Sequence, residues 1–342
     1  MTRKPTISQF LVATSLALLL IPAIAFGQEK LSTEKAGTIG SPTGKIAFIR
    51  DKNVWTMDVS GINQTTITEV GNASGRLSWS SDNKKIAFTR SGKVNLQGPD
   101  NLGGNHKVYD IFLAYVDSAT NNNTTYWYRL TDGIGSRDPE WSADGKTLIY
   151  YKDMNANFVN AFLPNYQICL LSPPETGNED LLRKDWQNMS EFFISPTMNA
   201  DGMIAFVHMV KTSEGGFRQQ GIAKLHRDKF MASLKSVNAQ SKKMANFVAP
   251  AWSPDGKWLA CISNSMNTPG LYLFSADFSE KYLVFTPPPV TSLITAAPSF
   301  SPDSKWLTFG TRDGSIWICD ITGNGARRLT GPGMDTNPAW SK

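Results

Sequence analysis

Two carboxylates, Asp138 and Asp335, are the residues whose type and position best suit acid–base chemistry. Each stands shortly before a tryptophan in a similar stretch of sequence. Carboxylates that meet from distant parts of a chain can cleave a glycosidic bond. Other polar side chains occupy comparable positions, namely Arg76, Arg137, Glu191 and Asn337. Polar groups that converge in this way could hold a small ligand, a cation or a partner's side chain, or they could pair with one another across neighbouring units.

Other catalytic or metal-binding patterns are missing from the sequence. The segment 71–75 (GNASG) resembles a hydrolase elbow, but its serine is one place late. His106, His208 and His226 are too scattered for a zinc site, and no Cys-x-x-Cys pair occurs. His208 continues an alternating apolar run and is predicted to pack inside a strand, whereas His106 lies in an inserted loop that could serve binding. The sequence therefore predicts no metal and no cofactor.

A recurring phrase predicts the elements that position these groups. The phrase has six positions, which are an aromatic residue, Ser, any residue, Asp, a Gly or polar residue, and finally Lys. A stretch with apolar residues at alternate positions follows. The Asp can cap backbone N–H groups and the Gly accepts a positive φ, so the phrase encodes a tight turn between two antiparallel strands. The residues at the aromatic position, called anchors, are Trp79, Trp141, Met198, Trp252, Phe300 and Trp340.

Two further apolar runs follow most copies of the phrase, which gives four short strands per repeat. Repeats of this kind are typical of the blades of a β-propeller. The last copy, PAWSK at 338–342, lacks a following strand, and the segment 44–50 (GKIAFIR) is a second strand without a first. We therefore predict an all-β fold, a six-bladed β-propeller of four-stranded antiparallel blades, closed by pairing of the N- and C-terminal strands.

The repeated phrases resemble those of the TolB-type (WD40-like) propeller family, as in LTDGIGSRDPEWSADGK at 130–146 and LTGPGMDTNPAWSK at 329–342. The resemblance extends from Gly44 to Lys342 and implies a propeller that holds a lipoprotein partner of the cell envelope. Similar repeats occur in the non-catalytic propellers of prolyl peptidases. TolB proteins carry an α/β domain before the propeller, and this chain is expected to lack it because only residues 28–43 precede the first predicted strand.

The strand order predicts two different ends of the propeller. One end, the turn face, bears the Ser-x-Asp turns between the first and second strands. The other end, the loop face, bears the connections from second to third strands and from blade to blade. The blade-to-blade connections are predicted to form the mouth of the central channel, and the polar residues there are Arg76, Arg137, Asp138, Glu191, Asp335 and Asn337. Three consecutive blades carry insertions on the loop face, at Ser91–Lys107, Asp153–Pro164 and Lys211–Arg218.

Loops on a rigid scaffold commonly carry binding sites. The middle insertion contains Phe158 and Phe162 and is followed by Tyr166. These side chains are predicted either to form an apolar docking patch or to fold back over the blade edge.

The N-terminus predicts export. Arg3 and Lys4 precede an apolar run from Phe10 to Ala25, and polar sequence resumes at Gln28, which is the pattern of a cleavable secretory signal peptide. We predict a signal peptide at 1–27, a linker at 28–43 and the propeller at 44–342. The mature protein is predicted to be periplasmic or secreted, with no membrane span after cleavage.

Charge and cysteine content limit the remaining classes. The formal net charge is +5, without a block of Lys and Arg, which argues against nucleic acid as a partner. The cysteines, Cys169, Cys261 and Cys319, lie in apolar runs and are interpreted as buried side chains, with one disulfide as the alternative.

Three functions fit this fold. The first is a non-catalytic scaffold that binds a protein or peptide partner with its loop face. The second is a hydrolase or lyase for a glycan or peptide at the channel mouth, with Asp138 and Asp335 as the candidate carboxylates. The third is a sensor that becomes rigid on binding a small ligand or a cation. We expect the first, because turn capping accounts for the repeated aspartates and no compact catalytic pattern occurs.

Overall fold

In the computed structural model of the protein, the described residues are 29–69, 71–96, 104–116, 126–131, 135–156, 164–172, 174, 177–182, 190–263, 265–288, 293 and 296–342. Side chains are described for all of these except 94–96 and 104–106. The predicted signal peptide at 1–27 lies outside the described residues. No helix within the described part is long and apolar enough to cross a membrane.

Within the described residues, the strands form six antiparallel sheets. The strands nearest the N-terminus are β1 (Lys45–Arg50), β2 (Asn53–Asp58) and β3 (Thr65–Thr66). Blade 1 contains β4 (Ala73–Trp79), β5 (Lys85–Leu96), β6 (Gly104–Tyr115) and β7 (Trp127–Arg129). Blade 2 contains β8 (Ser136–Trp141), β9 (Leu148–Asp153), β10 (Tyr166–Ser172) and β11 (Asn178–Leu181). Blade 3 contains β12 (Glu191–Met198), β13 (Met203–Lys211) and β14 (Phe217–His226).

The second half of the chain continues the series. Blade 4 contains β15 (Phe247–Trp252), β16 (Trp258–Ser263), β17 (Gly270–Ser275) and β18 (Lys281–Phe285). Blade 5 contains β19 (Ser299–Phe300), β20 (Trp306–Thr311), β21 (Ser315–Asp320) and β22 (Arg327–Arg328). Blade 6 is formed by β23 (Thr336–Trp340) together with β1, β2 and β3. The first strands of adjacent blades contact one another in a closed ring, which confirms the predicted six-bladed propeller.

Blade 6 joins the two ends of the chain, as predicted. The first strand of this blade is β23, which pairs antiparallel with β1 and places Ile46 opposite Trp340. Trp340 is buried, and its indole N–H donates to the carbonyl of Thr43 at 2.8 Å. Apolar side chains from blades 6 and 1 share one cluster that includes Ile49 and Phe88. The core therefore lies between the blades, and each sheet is stabilised by its neighbour.

The Ser-x-Asp turns have the predicted capping geometry. In blades 1, 2, 4 and 5 the serine hydroxyl donates to the aspartate Oδ1 at 2.5–2.6 Å. The same oxygen accepts the backbone N–H two residues later at 3.0–3.2 Å. The serine hydrogen bond holds the pKa of Asp82 and of Asp144 below the usual value. Blade 3 has Asn199 in place of the serine, and its side-chain oxygen accepts the Met203 N–H at 2.9 Å.

Blade 3 has a helical segment in the position of a fourth strand. The segment begins with the 3₁₀ helix Arg227–Lys229, the short helix α1 (Phe230–Ser233) and the 3₁₀ helix Leu234–Ser236. The helix α2 (Val237–Lys243) follows and packs on β14. The side chains of Phe230 and Val237 are buried in the core of the blade. Their spacing, with Leu234 between them, follows one face of a helix. The segment thus covers the outer strand of blade 3 as a fourth strand does elsewhere.

We expect Gly221→Ala to lower the free energy of unfolding by about 1–3 kcal/mol, because it crowds the contact between β14 and α2. Gly221 has φ +146°, and a β-carbon there would overlap the carbonyl oxygens of Ser241 and Met244. Chemical denaturation would measure the change. Gly215→Ala is the matched control, since Gly215 also has a positive φ (+87°) but no atom within 4 Å of the added carbon. Equal losses in the two variants would contradict the crowding argument.

The segment before β1 is packed against the propeller. Leu31 is buried, and the carbonyl of Glu29 accepts the N–H of Leu283 at 2.9 Å. Lys35 forms a salt bridge of 2.5 Å with Glu280, and the indole N–H of Trp306 donates to the carbonyl of Gly40 at 2.9 Å. This segment therefore connects blades 4 and 5 before it enters blade 6.

One predicted insertion is mostly strand. Ser91–Lys107 was expected to be a loop, but β5 continues to Leu96 and β6 begins at Gly104, with cross-strand pairs along both. The prediction was wrong for most of this segment because its residues extend the hairpin beyond the blade. In the insertion at Lys211–Arg218 only residues 212–216 form the turn between β13 and β14, because Lys211 already pairs with Phe217. Both hairpins project on the loop face.

Candidate functional site

Arg76 occupies the central channel instead of its mouth. It belongs to β4 and is buried, and its guanidinium forms a salt bridge with Glu140 of blade 2. The same guanidinium donates to the carbonyl of Pro196 in blade 3 at 2.8 Å and to that of Pro250 in blade 4 at 2.9 Å. One side chain thus links four blades across the axis. These hydrogen bonds are made within the protein and hold the inner strands of these blades together.

The carbonyl groups that bind Arg76 are available because the first strands contain β-bulges. The pairing register shifts between Ile194 and Thr197 in blade 3, and between Val248 and Ala251 in blade 4. A bulged residue leaves the ladder of hydrogen bonds. The bulges contain Pro196 and Pro250, whose carbonyl oxygens therefore remain free to accept from Arg76.

Glu140 completes this arrangement and was not predicted. Its second carboxylate oxygen accepts the hydroxyl of Thr197 at 2.7 Å. A signal existed in the repeat, because Glu140 directly precedes the anchor Trp141, where other blades have a small residue. The equivalents are Ser78, Thr197, Ala251, Ser299 and Ala339.

The two candidate carboxylates are both engaged in structural contacts. Asp335 is buried, and each of its carboxylate oxygens accepts a hydrogen bond of 2.7 Å from the guanidinium of Arg50, whose pKa is raised chiefly by this interaction. Asp138 has φ +52°, and its side chain accepts the backbone N–H of Arg76 at 2.9 Å. Asn337 likewise has a positive φ, +54°, in the first strand of blade 6. Asp138 and Asn337 lie at the β-bulges in the first strands of blades 2 and 6.

The turn-face end of the channel contains a cavity of about 160 Å³. Glu140, Trp141, Trp252 and Lys342 are among its lining residues, whereas Asp138 and Asp335 are not. The described part of the chain contains no group of three or more His, Cys, Asp or Glu side chains arranged to hold a metal ion. Asp138 and Asp335 therefore do not meet at this cavity.

His208 is fully buried, as predicted for a packed strand residue. Its Nδ1 lies 2.9 Å from the hydroxyl of Ser241, and its Nε2 lies 2.8 Å from the carboxylate of Glu191. Ser241 is itself buried in α2 and also donates to the carbonyl of Asn238, so no solvent reaches its hydroxyl. The three groups join the helix to β13 and β12.

The cysteines are buried and free in the described structure, as interpreted from the sequence. Burial raises the pKa of the Cys261 and Cys319 thiols.

Arg137 and Tyr166 belong to a continuous row of side chains on the loop face. This aromatic row consists of Tyr109, Arg137, Tyr151, Tyr166, Phe192 and Phe217. The guanidinium of Arg137 lies 3.5 Å from the ring centre of Tyr109 and 5.6 Å from that of Tyr166. Tyr166 meets Tyr151 and Phe192 edge-on, at 5.2 and 5.1 Å between ring centres.

The aromatic row spans blades 1, 2 and 3. Phe192 and Phe217 extend it across blade 3, with ring centres 4.3 Å apart. Tyr109, Arg137, Tyr166 and Phe217 are partly exposed, while Tyr151 and Phe192 are buried beneath them. Burial raises the pKa of the Tyr151 and Tyr166 phenols, so both stay neutral and keep a hydroxyl donor at neutral pH.

The remaining predicted site residues are only partly described. Phe158 and Phe162 lie outside the described residues. The backbone of His106 is part of β6 and pairs with Val94. The aromatic row was missed as a unit because its members come from six different strands, and only their registers bring them together.

Comparisons with known proteins support the fold. No model of a protein family matches the sequence, and no curated protein sequence matches it. TolB from Acinetobacter baumannii superposes with a TM-score of 0.57 at 17% sequence identity, over 90% of this chain and 69% of that chain. A protein of Agrobacterium tumefaciens assigned as TolB gives 0.53 at 15% identity, over 85% and 90%.

A chain of the nidogen/laminin complex gives a TM-score of 0.51 at 8% identity, over 87% of this chain and 98% of that chain. Such identities establish the fold and leave the activity open. The ring of six blades, the capped Ser-x-Asp turns and the superpositions show that this chain has the fold of a TolB-type six-bladed β-propeller.

Proposed function

We propose that the chain is an exported, non-catalytic scaffold that binds a protein or peptide partner in the periplasm or cell envelope. The partner binds the loop face over blades 1 to 3. The observation that carries the proposal is the aromatic row, which presents partly exposed Tyr, Phe and Arg side chains on a rigid base.

The composition of the row suits a protein interface. Tyr and Arg are enriched among the residues that contribute most to protein–protein binding. Tyr166 is held by Tyr151 and Phe192 from below, so little side-chain entropy is lost when a partner covers it. The hairpins β5–β6 and β13–β14 project on the same face and flank the row. A partner would therefore meet a shallow surface with raised sides.

The pairing of the charged groups in the channel supports binding over catalysis. Arg76 and Glu140 satisfy each other inside the channel, and Asp335 is paired with Arg50. Neither arrangement leaves a carboxylate pair free to act as acid and base on a substrate. A similar fold occurs in the nidogen/laminin complex, whose name denotes an assembly of two proteins.

Replacing Arg137 or Tyr166 by Ala is expected to weaken partner binding at least about tenfold, because each removes a central contact of the row. Affinity capture from envelope extract with residues 28–342 as bait would identify the partner. The dissociation constant would then be measured with the purified partner. Phe158→Ala and Phe162→Ala, in the predicted docking loop, are expected to weaken binding as well.

Tyr126→Ala is the matched control, since Tyr126 is 60% exposed on the turn face. It should leave the dissociation constant unchanged. Thermal unfolding of each variant shows whether the fold is retained. Folded Arg137→Ala and Tyr166→Ala proteins that capture the partner as well as the control does would refute a binding site on the loop face.

A further inference from the structure

A separate cavity of about 480 Å³ opens on the loop face between blades 6 and 1. Three segments contribute to it: the turn between β1 and β2, the connection into β4, and the β5–β6 hairpin. The lining residues with polar side chains are Lys52, Asn72, Ser74, Ser91, Lys93 and Lys107. No acidic side chain of the described residues lines it.

The cavity gathers positive charge, because the exposed side chains of Lys52, Lys93 and Lys107 all line it. Lys93 and Lys107 are directly opposite each other on β5 and β6. Like charges in that position destabilise a sheet. Lys52 adds a third ammonium group from the neighbouring blade. An anion between the three lysines would remove the repulsion, so the arrangement favours an anionic ligand.

The position of Lys52 is fixed by the backbone. Asp51 and Lys52 form the two-residue turn between β1 and β2, with φ of 49° and 61°. Turns of this type prefer Asn and Gly, because both central residues need a positive φ. The carbonyl of Lys52 accepts the N–H of Ala73 at 2.8 Å, which ties the turn to β4. A lysine therefore stands at the cavity in a conformation that suits glycine better.

We propose that this cavity binds a phosphoryl group. A phosphate monoester carries a charge of about −1.5 to −2 at pH 7 and presents three acceptor oxygens. Two or three ammonium groups match that charge, whereas a single carboxylate would leave most of the positive charge uncompensated. The hydroxyl groups of Ser74 and Ser91 and the amide of Asn72 supply neutral donors for the remaining oxygen lone pairs. The ammonium of Lys107 also lies 5.2 Å from the ring centre of Tyr109, so the cavity borders the aromatic row, but phosphate binding here does not depend on the protein-binding function proposed above.

The test is calorimetric titration of residues 28–342 with inorganic phosphate, together with thermal unfolding in phosphate and in sodium chloride of equal ionic strength. Phosphate should bind and raise the unfolding midpoint more than chloride does. Lys52→Gly and Lys93→Gln should each weaken phosphate binding about tenfold, since a charged hydrogen bond is lost.

The same two variants should unfold at the same or a higher temperature without phosphate. Lys52→Gly relieves the backbone strain of the turn, and Lys93→Gln removes the like-charge pair. Weaker binding in a protein of undiminished stability is a result that a purely structural role would not produce. Lys146→Gln, at an exposed lysine on the turn face, is the control and should bind phosphate normally.

Two further probes distinguish the source of the phosphoryl group. Glycerol phosphate represents a soluble ligand, and phosphatidylcholine vesicles with and without phosphatidic acid represent a lipid headgroup. Lysine-dependent binding of either probe supports the site and names its source. An unfolding midpoint that phosphate raises no more than chloride does, or equal phosphate binding by all variants, would overturn the proposal.

Discussion

Replacing Trp340 by Ala is expected to lower the free energy of unfolding by about 3–5 kcal/mol, a loss typical of a large aromatic side chain in a core. Trp340 is 2% exposed and packs against Ile46, Phe48 and Ile318 in the cluster between blades 5 and 6. Its backbone N–H also donates to the hydroxyl of Ser299 at 2.9 Å. Chemical denaturation followed by tryptophan fluorescence and circular dichroism would measure the loss.

The reason for the large effect is the position of Trp340 in the strand that closes the ring. A chain ending at residue 335 lacks β23 and leaves the edge of β1 unpaired, which favours association with other chains. Trp258→Ala is the control, because Trp258 is only partly buried at the start of β16 and contacts Tyr282 edge-on at 5.9 Å. The chain ending at residue 335 should therefore unfold at a much lower temperature than the full chain, and Trp258→Ala should lose less stability than Trp340→Ala. A truncated chain with an unfolding temperature within a few degrees of the full chain would contradict the role assigned to β23.

The closed ring and the turns were predictable because their signals are local or repeated. A Ser-x-Asp turn is determined by residues within five positions, as the hydrogen bonds of Ser80 and Asp82 show. The ring closure was predictable because β1 is a second strand without a first strand before it, and the segment PAWSK at 338–342 supplies that first strand. The turns and the ring closure are therefore both apparent when one repeat in the sequence is compared with the next.

The helical part of blade 3 is a feature that the sequence repeat does not predict. The sequence from Phe230 to Met244 has apolar residues at helical spacing, at Phe230, Leu234, Val237 and Met244. The repeat predicts a fourth strand after β14, and the helical spacing of these residues was not recognised in the sequence. The buried contact between His208 and Ser241 gives the helix its fixed position, and no repeat predicts that pair.

The site was predictable only in part because its contacts are distant in sequence. Arg137 and Tyr166 were selected as polar and aromatic groups near the loop face, and they do lie in one row. Arg76 was selected for the channel mouth, but its partners Glu140, Pro196 and Pro250 are 64, 120 and 174 residues away. The depth of Arg76 in the channel depends on bulges in strands of other blades, which one sequence does not reveal.

Replacing Arg76 by Met is expected to lower the free energy of unfolding by about 3–5 kcal/mol, because it leaves the partly buried carboxylate of Glu140 without its partner and two carbonyl groups without their donor. The side chain of Glu140 is 17% exposed and would retain only the hydroxyl of Thr197 as a hydrogen-bond donor. The carbonyl groups of Pro196 and Pro250 would lose their donor as well. Denaturation at neutral pH measures the loss.

The double variant Arg76→Met with Glu140→Gln should recover part of this stability, since a neutral amide costs less to bury than an unpaired carboxylate. Arg328→Met is the control, because its salt bridge with Asp313 is solvent-exposed and should contribute less than about 1 kcal/mol. If Arg76 instead served a ligand at the channel mouth, Arg76→Met would leave stability intact, and the double variant would show no coupling. A large loss with partial recovery would mean that the ion pair of Arg76 and Glu140 stabilises the inner strands across the axis of the propeller.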